Sequence, residues 1–406
     1  MPGPVDPTSA RPVAPPRLAG RALRVLIIAY TNYIYDGRVK RHAEALADRG
    51  DHVDVISLDS LNVGDSHGVH MISIEMPRYR GPSRWRYLNN YIRFFAIAAF
   101  RATRLSRKSP YDVVIVCTMP DAAVLSALGT RLHGAKIILD VHDTMPELYE
   151  EKFGGRVGTI GARILMLEER ASAMLAHHVL AVHEPHRARL IKAGIPADKV
   201  TVVMNPPDPR IFVGRIEPQK NPSSEFNLFC HGVVAYRLGL DIAVSAMDLL
   251  RDRVPEARLR VIGAGDYLDT VKELVAARRL QHRVSFSALV PLEDLPAALA
   301  TASAGVVPNR ASSATHLMLP VKLLEYATLG IPVIAARLRT IEHYFQDDSV
   351  CFFDPGDAAS LANAIERVCR SPELRERLAA NAGEIARRLS WPAQRSNFLG
   401  AIDGSL

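Results

Sequence analysis

Cysteine is scarce: four residues in 406, at Cys117, Cys230, Cys351 and Cys369, far apart and without a CxxC or Cys/His grouping. That spacing excludes a disulfide framework and a zinc site, and it predicts a reducing, cytoplasmic setting. No apolar run reaches the ~20 residues that a spanning helix needs. Six prolines between Met1 and Gly20, with no apolar stretch among them, predict a disordered start over residues 1–22 instead of a signal peptide or an anchor. Acidic residues are absent from Arg78 to Lys108, where nine basic ones fall, and this segment accounts for the net charge of +7. The remaining chain is slightly acidic, which excludes a broad nucleic-acid surface. Neither an internal repeat nor low complexity beyond the proline-rich start is present.

What is present is alternation. Unbroken apolar runs at Arg24–Tyr30, Val53–Leu58, Met71–Ile74, Val113–Cys117, Lys136–Val141, Val179–Val182 and Val200–Met204 read as strands buried on both faces, with helical periodicity between them. Asn205-Pro206-Pro207-Asp208 breaks the pattern and opens a linker, and a second set follows at Asn227–Cys230, Leu259–Ile262, Val284–Phe286, Gly305–Val307, Pro332–Ala335 and Val350–Phe353. The fold class is therefore α/β, with two Rossmann-like doubly wound parallel-sheet domains facing across a cleft. The expected divisions are a first Rossmann-like domain over 23–205, a linker over 206–224, a second over 225–388 and a terminal helix over 389–406.

The turn after the first strand, Ala29 to Gly37, has no GxGxxG, which argues against a nicotinamide enzyme. Asp36-Gly37-Arg38 opens a helix whose free amides and arginine suit an anion, or else an ordinary N-cap with a solvated arginine. Gly263 and Gly265 join a strand to a helix; they admit a flat or phosphorylated ligand, or only a tight turn. Pro320, Lys322 and Glu325 open a later helix. The macrodipole opposes a lysine there unless it meets an anion such as a diphosphate, and Glu325 can accept ribose hydroxyls. The plain alternative is a Lys–Glu surface pair. At Asp140-Val141-His142-Asp143, with Glu147, polar residues gather at a strand's carboxyl end: His142 suits a sugar hydroxyl, and Asp143 or Glu147 an acceptor or its proton.

Taken together, these residues resemble the retaining glycosyltransferases of family four, the group 1 glycosyltransferases of GT-B fold, in their Pro-x-Lys-x-x-Glu subgroup. The resemblance rests on Asp36-Gly37-Arg38-Val39, on Asp140-Val141-His142-Asp143, on Asn205-Pro206-Pro207-Asp208, on His231-Gly232 with Arg237-Leu238-Gly239, on Gly263-Ala264-Gly265 and on Pro320-x-Lys322-x-x-Glu325. It implies transfer of a sugar, with retention, from a nucleotide-diphosphate sugar to a glycan, lipid-linked or small-molecule acceptor, with no cofactor and no metal. By position it gives Glu325 to the ribose, Lys322 to the diphosphate and His142 to the transferred sugar; this chain's own residues add Arg237 and Gly232 for the diphosphate, Gly263 and Gly265 for the base region and Asp143 for catalysis. The resemblance also implies that 23–205 takes the acceptor and 225–388 the nucleotide sugar, and that the last helix crosses back with Trp391 as its anchor, unless Trp391 is a simple terminal cap. Leu317 stands where many members carry a further glutamate, and Val233 and Leu238 stand at the usual phosphate-binding Arg and Lys. A sugar-nucleotide epimerase and a catalytically silent subunit are the competing readings.

The helical stretch Arg84 to Lys108 gathers Arg86, Arg93, Arg101, Arg104 and Lys108 in one arc beside Ile97 and Phe100. Such a stripe suits either solvent or the inner face of an anionic membrane. The opposite side, with Leu88, Tyr91, Phe95 and Ala99, is expected to pack on the sheet.

Overall fold

The computed structural model describes residues 21–58, 67–77, 84–215 and 225–406. The expected disordered start lies almost wholly outside these residues, as does the second half of the linker. Two compact units emerge, one of residues 1–205 with 392–406, the other of residues 206–391.

Unit 1 holds seven parallel strands in the order β3-β2-β1-β4-β5-β6-β7. They are β1 Arg24–Ala29, β2 His52–Ser57, β3 Val69–Ser73, β4 Val113–Cys117, β5 Lys136–Val141, β6 His178–Ala181 and β7 Val200–Val202. Between them run α1 Gly37–Asp48, α2 Arg84–Lys108, α3 Leu128–Arg131, α4 Met145–Phe153, α5 Gly155–Leu175 and α6 Glu184–Lys192. Every residue of β4 is buried, because helices cover both faces of a parallel sheet. Asp36 caps α1 by accepting from the Val39 amide at 3.1 Å.

Unit 2 holds six parallel strands in the order β10-β9-β8-β11-β12-β13. They are β8 Phe226–Val233, β9 Ala257–Ala264, β10 Val284–Ser287, β11 Ala304–Val307, β12 Val333–Ala336 and β13 Cys351–Phe353. Their helices are α7 Leu240–Leu249, α8 Leu268–Ala277, α9 Leu295–Ala298, α10 Val321–Thr328, α11 Arg339–Tyr344, α12 Ala358–Arg370 and α13 Pro372–Arg388. β8 and β9 run past their apolar stretches, with Gly232 paired to Gly263 and Val233 to Ala264. Hydropathy ends where the side chains turn polar or vanish; the backbone ladder continues. In each unit the strand order reverses once, between β1 and β4 and between β8 and β11, and ligands of such sheets sit at the carboxyl ends there.

Two expectations for the helices need correction or detail. α2 turns Tyr91, Phe94, Ala98 and Ala102 to the sheet, whereas Leu88 is 50% exposed, so its inner face lies about 60° from the expected one. Ile97 packs against the core, and Arg101 donates to the Ser73 carbonyl at 2.7 Å, so both leave the expected basic stripe. The last helix, α14 Trp391–Asp403, places Phe398 and Ile402 in fully buried positions. Phe398 stacks on the His42 ring of α1 at 4.1 Å between centroids, within unit 1.

Burial lowers the His42 pKa to about 4, and the nearby Arg38 acts in the same direction, against the contact with Asp140. The folded value lies below the unfolded one near 6.5, so protons favour the unfolded chain. This contribution is complete above the unfolded value and disappears as pH falls through the folded one. Between about pH 7 and pH 4, denaturant titration is expected to show the wild type losing about 3 kcal/mol more stability than His42→Gln. Parallel pH profiles for the two proteins would contradict this.

Candidate functional site

In unit 2 the carboxyl end of β8 carries His231 and Gly232, and the start of α10 carries Lys322 and Glu325. Lys322 shares a pocket with His231, Gly232 and Leu238. Gly232 adopts φ +101°, which L side chains avoid, and a Cβ there would project into open space. Pro320 precedes α10 without a capping side chain; the Leu323 amide donates to the Pro320 carbonyl at 3.0 Å, and those of Val321 and Lys322 have no partner among the described residues.

Lys322 and Glu325 do not pair. Glu325 is buried, and its Oε2 lies 2.6 Å from His231 Nε2. His231 Nδ1 lies 2.8 Å from the Tyr326 hydroxyl, which itself donates to the Phe229 carbonyl at 3.0 Å. A phenol has one proton to give, so Tyr326 accepts from Nδ1–H, and Nε2 and Glu325 share a second proton. Burial, with Cys230 and Glu325 beside it, pushes the Tyr326 phenol well above its usual range and keeps it neutral. Glu325 Oε1 has no partner among the described residues, and neither Lys322 nor Arg237 forms an ion pair among them. Arg237 lies in the Tyr236–Leu238 turn with its Nε buried and unbonded. Arg310, in contrast, is consumed: it pairs with Asp241 and stacks 4.2 Å from the Tyr236 ring centroid.

The two strand-end glycines have a structural reason. A Cβ on Gly263 would come within 2.3 Å of the Gly232 carbonyl oxygen, and one on Gly265 within 2.0 Å of that of Val234. Backbone, and not an open ligand space, fills the room these glycines leave. The tight-turn reading accounts for both glycines. Leu317 ends a short 3-10 turn that begins at Thr315.

In unit 1 the corresponding polar centre is Asp140, fully buried at the end of β5. Arg38 donates to it through Nη2 at 2.6 Å and Nε at 3.0 Å, and to the Val203 carbonyl through Nη1 at 2.8 Å. Burial alone would favour a neutral acid, but Arg38, His142 and His42 reverse this and hold the Asp140 carboxyl well below the usual range. Arg38 is therefore turned inward and does not present itself to an external anion; the expectation for the Asp36-Gly37-Arg38 segment keeps its N-cap and loses its cation.

His142 Nε2 lies 3.0 Å from Asp140 Oδ2, and its backbone amide donates to Thr118 Oγ1 at 3.1 Å. The carboxylate fixes the tautomer with the proton on Nε2, so Nδ1 keeps a lone pair that meets no partner among the described residues. Asp143 is exposed and has no partner among the described residues, whereas Glu147 is held by Arg189 at 2.7 Å and is not a free base. Cys117, Asp140 and His142 offer ligand atoms within 4.8 Å of one another. Asp140 is already occupied by a guanidinium, and burial pushes the Cys117 thiol well up and keeps it neutral, so the donor set suits a cation poorly.

Sequence reasoning quoted His231 only as a motif residue and missed its hold on Glu325. It also missed Asn309, fully buried just beyond β11 with both side-chain polar atoms unbonded. A polar residue directly after an apolar strand at the reversal point was the available signal.

The profile of the family "Glycosyl transferases group 1" matches residues 214–384, and that of "Glycosyl transferase 4-like domain" matches residues 37–206. The chain is 33% identical over 110 residues to a GDP-mannose-dependent alpha-(1-6)-phosphatidylinositol monomannoside mannosyltransferase of Mycolicibacterium smegmatis, covering 27% of this chain and 29% of that protein. It is 22% identical over 294 residues to a sulfoquinovosyl transferase of Arabidopsis thaliana, covering 69% and 54%. The aligned stretches thus take in less than two thirds of these relatives' own length. Among solved structures, sucrose-phosphate synthase of Thermosynechococcus elongatus aligns with a TM-score of 0.74 at 19% identity, covering 92% of this chain and 96% of that one. HepE of Anabaena, in complex with UDP and glucose, aligns with a TM-score of 0.73 at 17% identity, covering 95% and 100%. These likenesses show the fold, two Rossmann-like domains of the GT-B class. One profile thus falls on each unit: residues 214–384 match the group 1 glycosyltransferases and residues 37–206 the glycosyl transferase 4-like domain.

Proposed function

We propose that the protein transfers a sugar, with retention of anomeric configuration, from a nucleoside diphosphate sugar to a glycan, lipid-linked or small-molecule acceptor. The observation that carries this reading is that Lys322, which shares a pocket with Gly232, forms no ion pair among the described residues, while Glu325 is held by His231. A lysine at a helix start without an ion pair among the described residues suits a diphosphate, and Arg237, in the turn after β8, is proposed to join it. Glu325 Oε1 accepts the ribose hydroxyls. His142 Nδ1 accepts a hydroxyl of the transferred sugar, and Asp140 keeps the ring in place. Asp143, exposed and without a partner among the described residues, contacts the acceptor.

As the diphosphate leaves, negative charge develops on its oxygens, and Lys322, Arg237 and the α10 amides stabilise it. No metal is needed in this scheme, because these groups offset the charge. Retention follows if the departing phosphate takes the acceptor proton on the same face. The subgroup reading follows from Pro320 and Lys322. The relatives named above as transferases favour neither an epimerase nor a silent subunit.

His231 acts in this scheme as a positioning residue that fixes Glu325 without touching the donor. Lys322→Ala and Glu325→Ala are expected to lower transfer on the order of 100-fold, since each removes a charge-assisted contact of about 1.5–3 kcal/mol. Melting curves should remain close to wild type, and full activity in both variants would refute the assignment. Product analysis with and without acceptor separates transfer from epimerisation.

His231 has a distinct readout. The wild type should bind a ribonucleoside diphosphate about 10-fold or more tighter than its 2′,3′-dideoxy analogue. In His231→Leu that preference should collapse, while His231→Gln, which still donates to Glu325, restores part of it. An undiminished preference in His231→Leu would overturn the positioning role.

A further inference from the structure

One side of unit 1 exposes an uncommon surface. The connections β3 to β4, β4 to β5 and β5 to β6 all progress the same way along the sheet, and right-handed crossovers place their helices on one face. α2 and α5 both rest on the 3-10 turn Asp121–Ala127 that leads into α3, making one continuous layer. Its inner side shares a core with the sheet through Phe94, Ala98, Val124 and Ala173.

Its outer side is apolar where water is expected. Ile92 (58%) and Phe100 (66%) of α2, Leu132 (85%) after α3, and Ile160 (59%), Ile164 (62%) and Leu167 (68%) of α5 are all exposed. Spacings of four and three residues set the last three on one helical stripe. Scattered single apolar residues need no account, but a contiguous set across three neighbouring elements does.

The exposed charge on α2 and α5 themselves has one sign, and α4, packed on α5, adds the half-buried Glu150 and Glu151. α2 contains no acidic residue, and Arg93, Arg104, Arg107 and Lys108 on it are exposed. On α5, Arg156, Arg163 and Arg170 are exposed, whereas Glu169 is fully buried and Glu168 half-buried. The Asp121 carboxyl is buried as well, and burial pushes it well above the usual carboxylate range. A second copy of this face would therefore bring like charges together. The complementary partner is anionic and accepts aliphatic and aromatic side chains.

We infer that this layer, α2 with α5, docks unit 1 onto an anionic lipid bilayer surface. The apolar stripe enters the interfacial region while the surrounding arginines meet lipid phosphates. The contact is peripheral: no helix among the described residues is long and apolar enough to cross a membrane. The expected stripe on α2 supplies only part of the surface, and α5 supplies the larger apolar share. This inference uses none of the donor-site residues and stands apart from the transferase reading.

The test is co-sedimentation of the full chain with vesicles of phosphatidylcholine alone or mixed with phosphatidylglycerol. The wild type should partition onto the anionic vesicles, with binding reduced by added salt. Ile164→Asp/Leu167→Asp should reduce that binding by about 10-fold or more, with unchanged melting and unchanged nucleoside diphosphate binding. Wild type that stays in the supernatant with both vesicle types overturns the inference, as does a double variant that binds like wild type. A dimer in sedimentation velocity that the double variant dissolves, without vesicle binding, assigns the face to a second copy instead.

Discussion

Glu325 can hydrogen-bond His231 or neutralise Lys322, and the structure commits it to His231 at 2.6 Å. The consequences in unit 2 follow from that commitment. A lysine at the start of a helix is electrostatically unfavourable next to the positive end of the macrodipole, and a carboxylate three residues on is its usual remedy. Here the remedy is withheld. Tyr326 locks the far side of the imidazole, and the phenol is itself anchored on the Phe229 carbonyl of β8. A sheet strand thereby dictates, through two side chains, where a helix carboxylate points. The result is a lysine at a helix start with no ion pair among the described residues, and one carboxylate oxygen left to accept.

Unit 1 uses the opposite arrangement at its own strand end. Asp140 is surrounded: Arg38 grips it with two nitrogens, and His142 and His42 approach Oδ2 at 3.0 and 3.3 Å. A buried carboxylate of this kind is tolerated only because a guanidinium and imidazoles satisfy it. What emerges is an oriented imidazole. His142 is held by its Nε2 and its backbone amide, which leaves Nδ1 as the group with capacity to act. In both units a histidine and a carboxylate interact at a strand's carboxyl end; in unit 2 the histidine positions the acid, in unit 1 the acid positions the histidine.

The strands were legible in the sequence because parallel strands buried on both faces must be continuously apolar, as at Val113–Cys117. β8 and β9 were read too short, since glycine pairs such as Gly232 and Gly263 sustain a ladder that hydropathy cannot see. Lys322 and Glu325 were legible because a cation at a helix start conflicts with the dipole and asks for a reason. The partners were not legible. His231 lies 94 residues from Glu325, and Arg38 lies 102 from Asp140, so no local spacing reports either contact. For the same reason Arg38 reads as facing outward from local spacing, and spacing alone does not choose between ligand room and a tight turn at Gly263 and Gly265, where neighbouring backbone fills the Cβ side. The α2 face was misjudged because its apolar residues spread around most of the helix, and only the packed sheet selects among them.

The central claim is that Lys322, without an ion pair among the described residues, is the counter-ion of a bound diphosphate. Titration calorimetry of the wild type and Lys322→Gln with UDP and GDP tests it most directly. Loss of one charge-assisted contact should weaken binding of the preferred nucleotide by about 10-fold or more, with the folded state intact. Equal affinity in the two proteins, or no binding of either nucleotide by the wild type, would contradict the account.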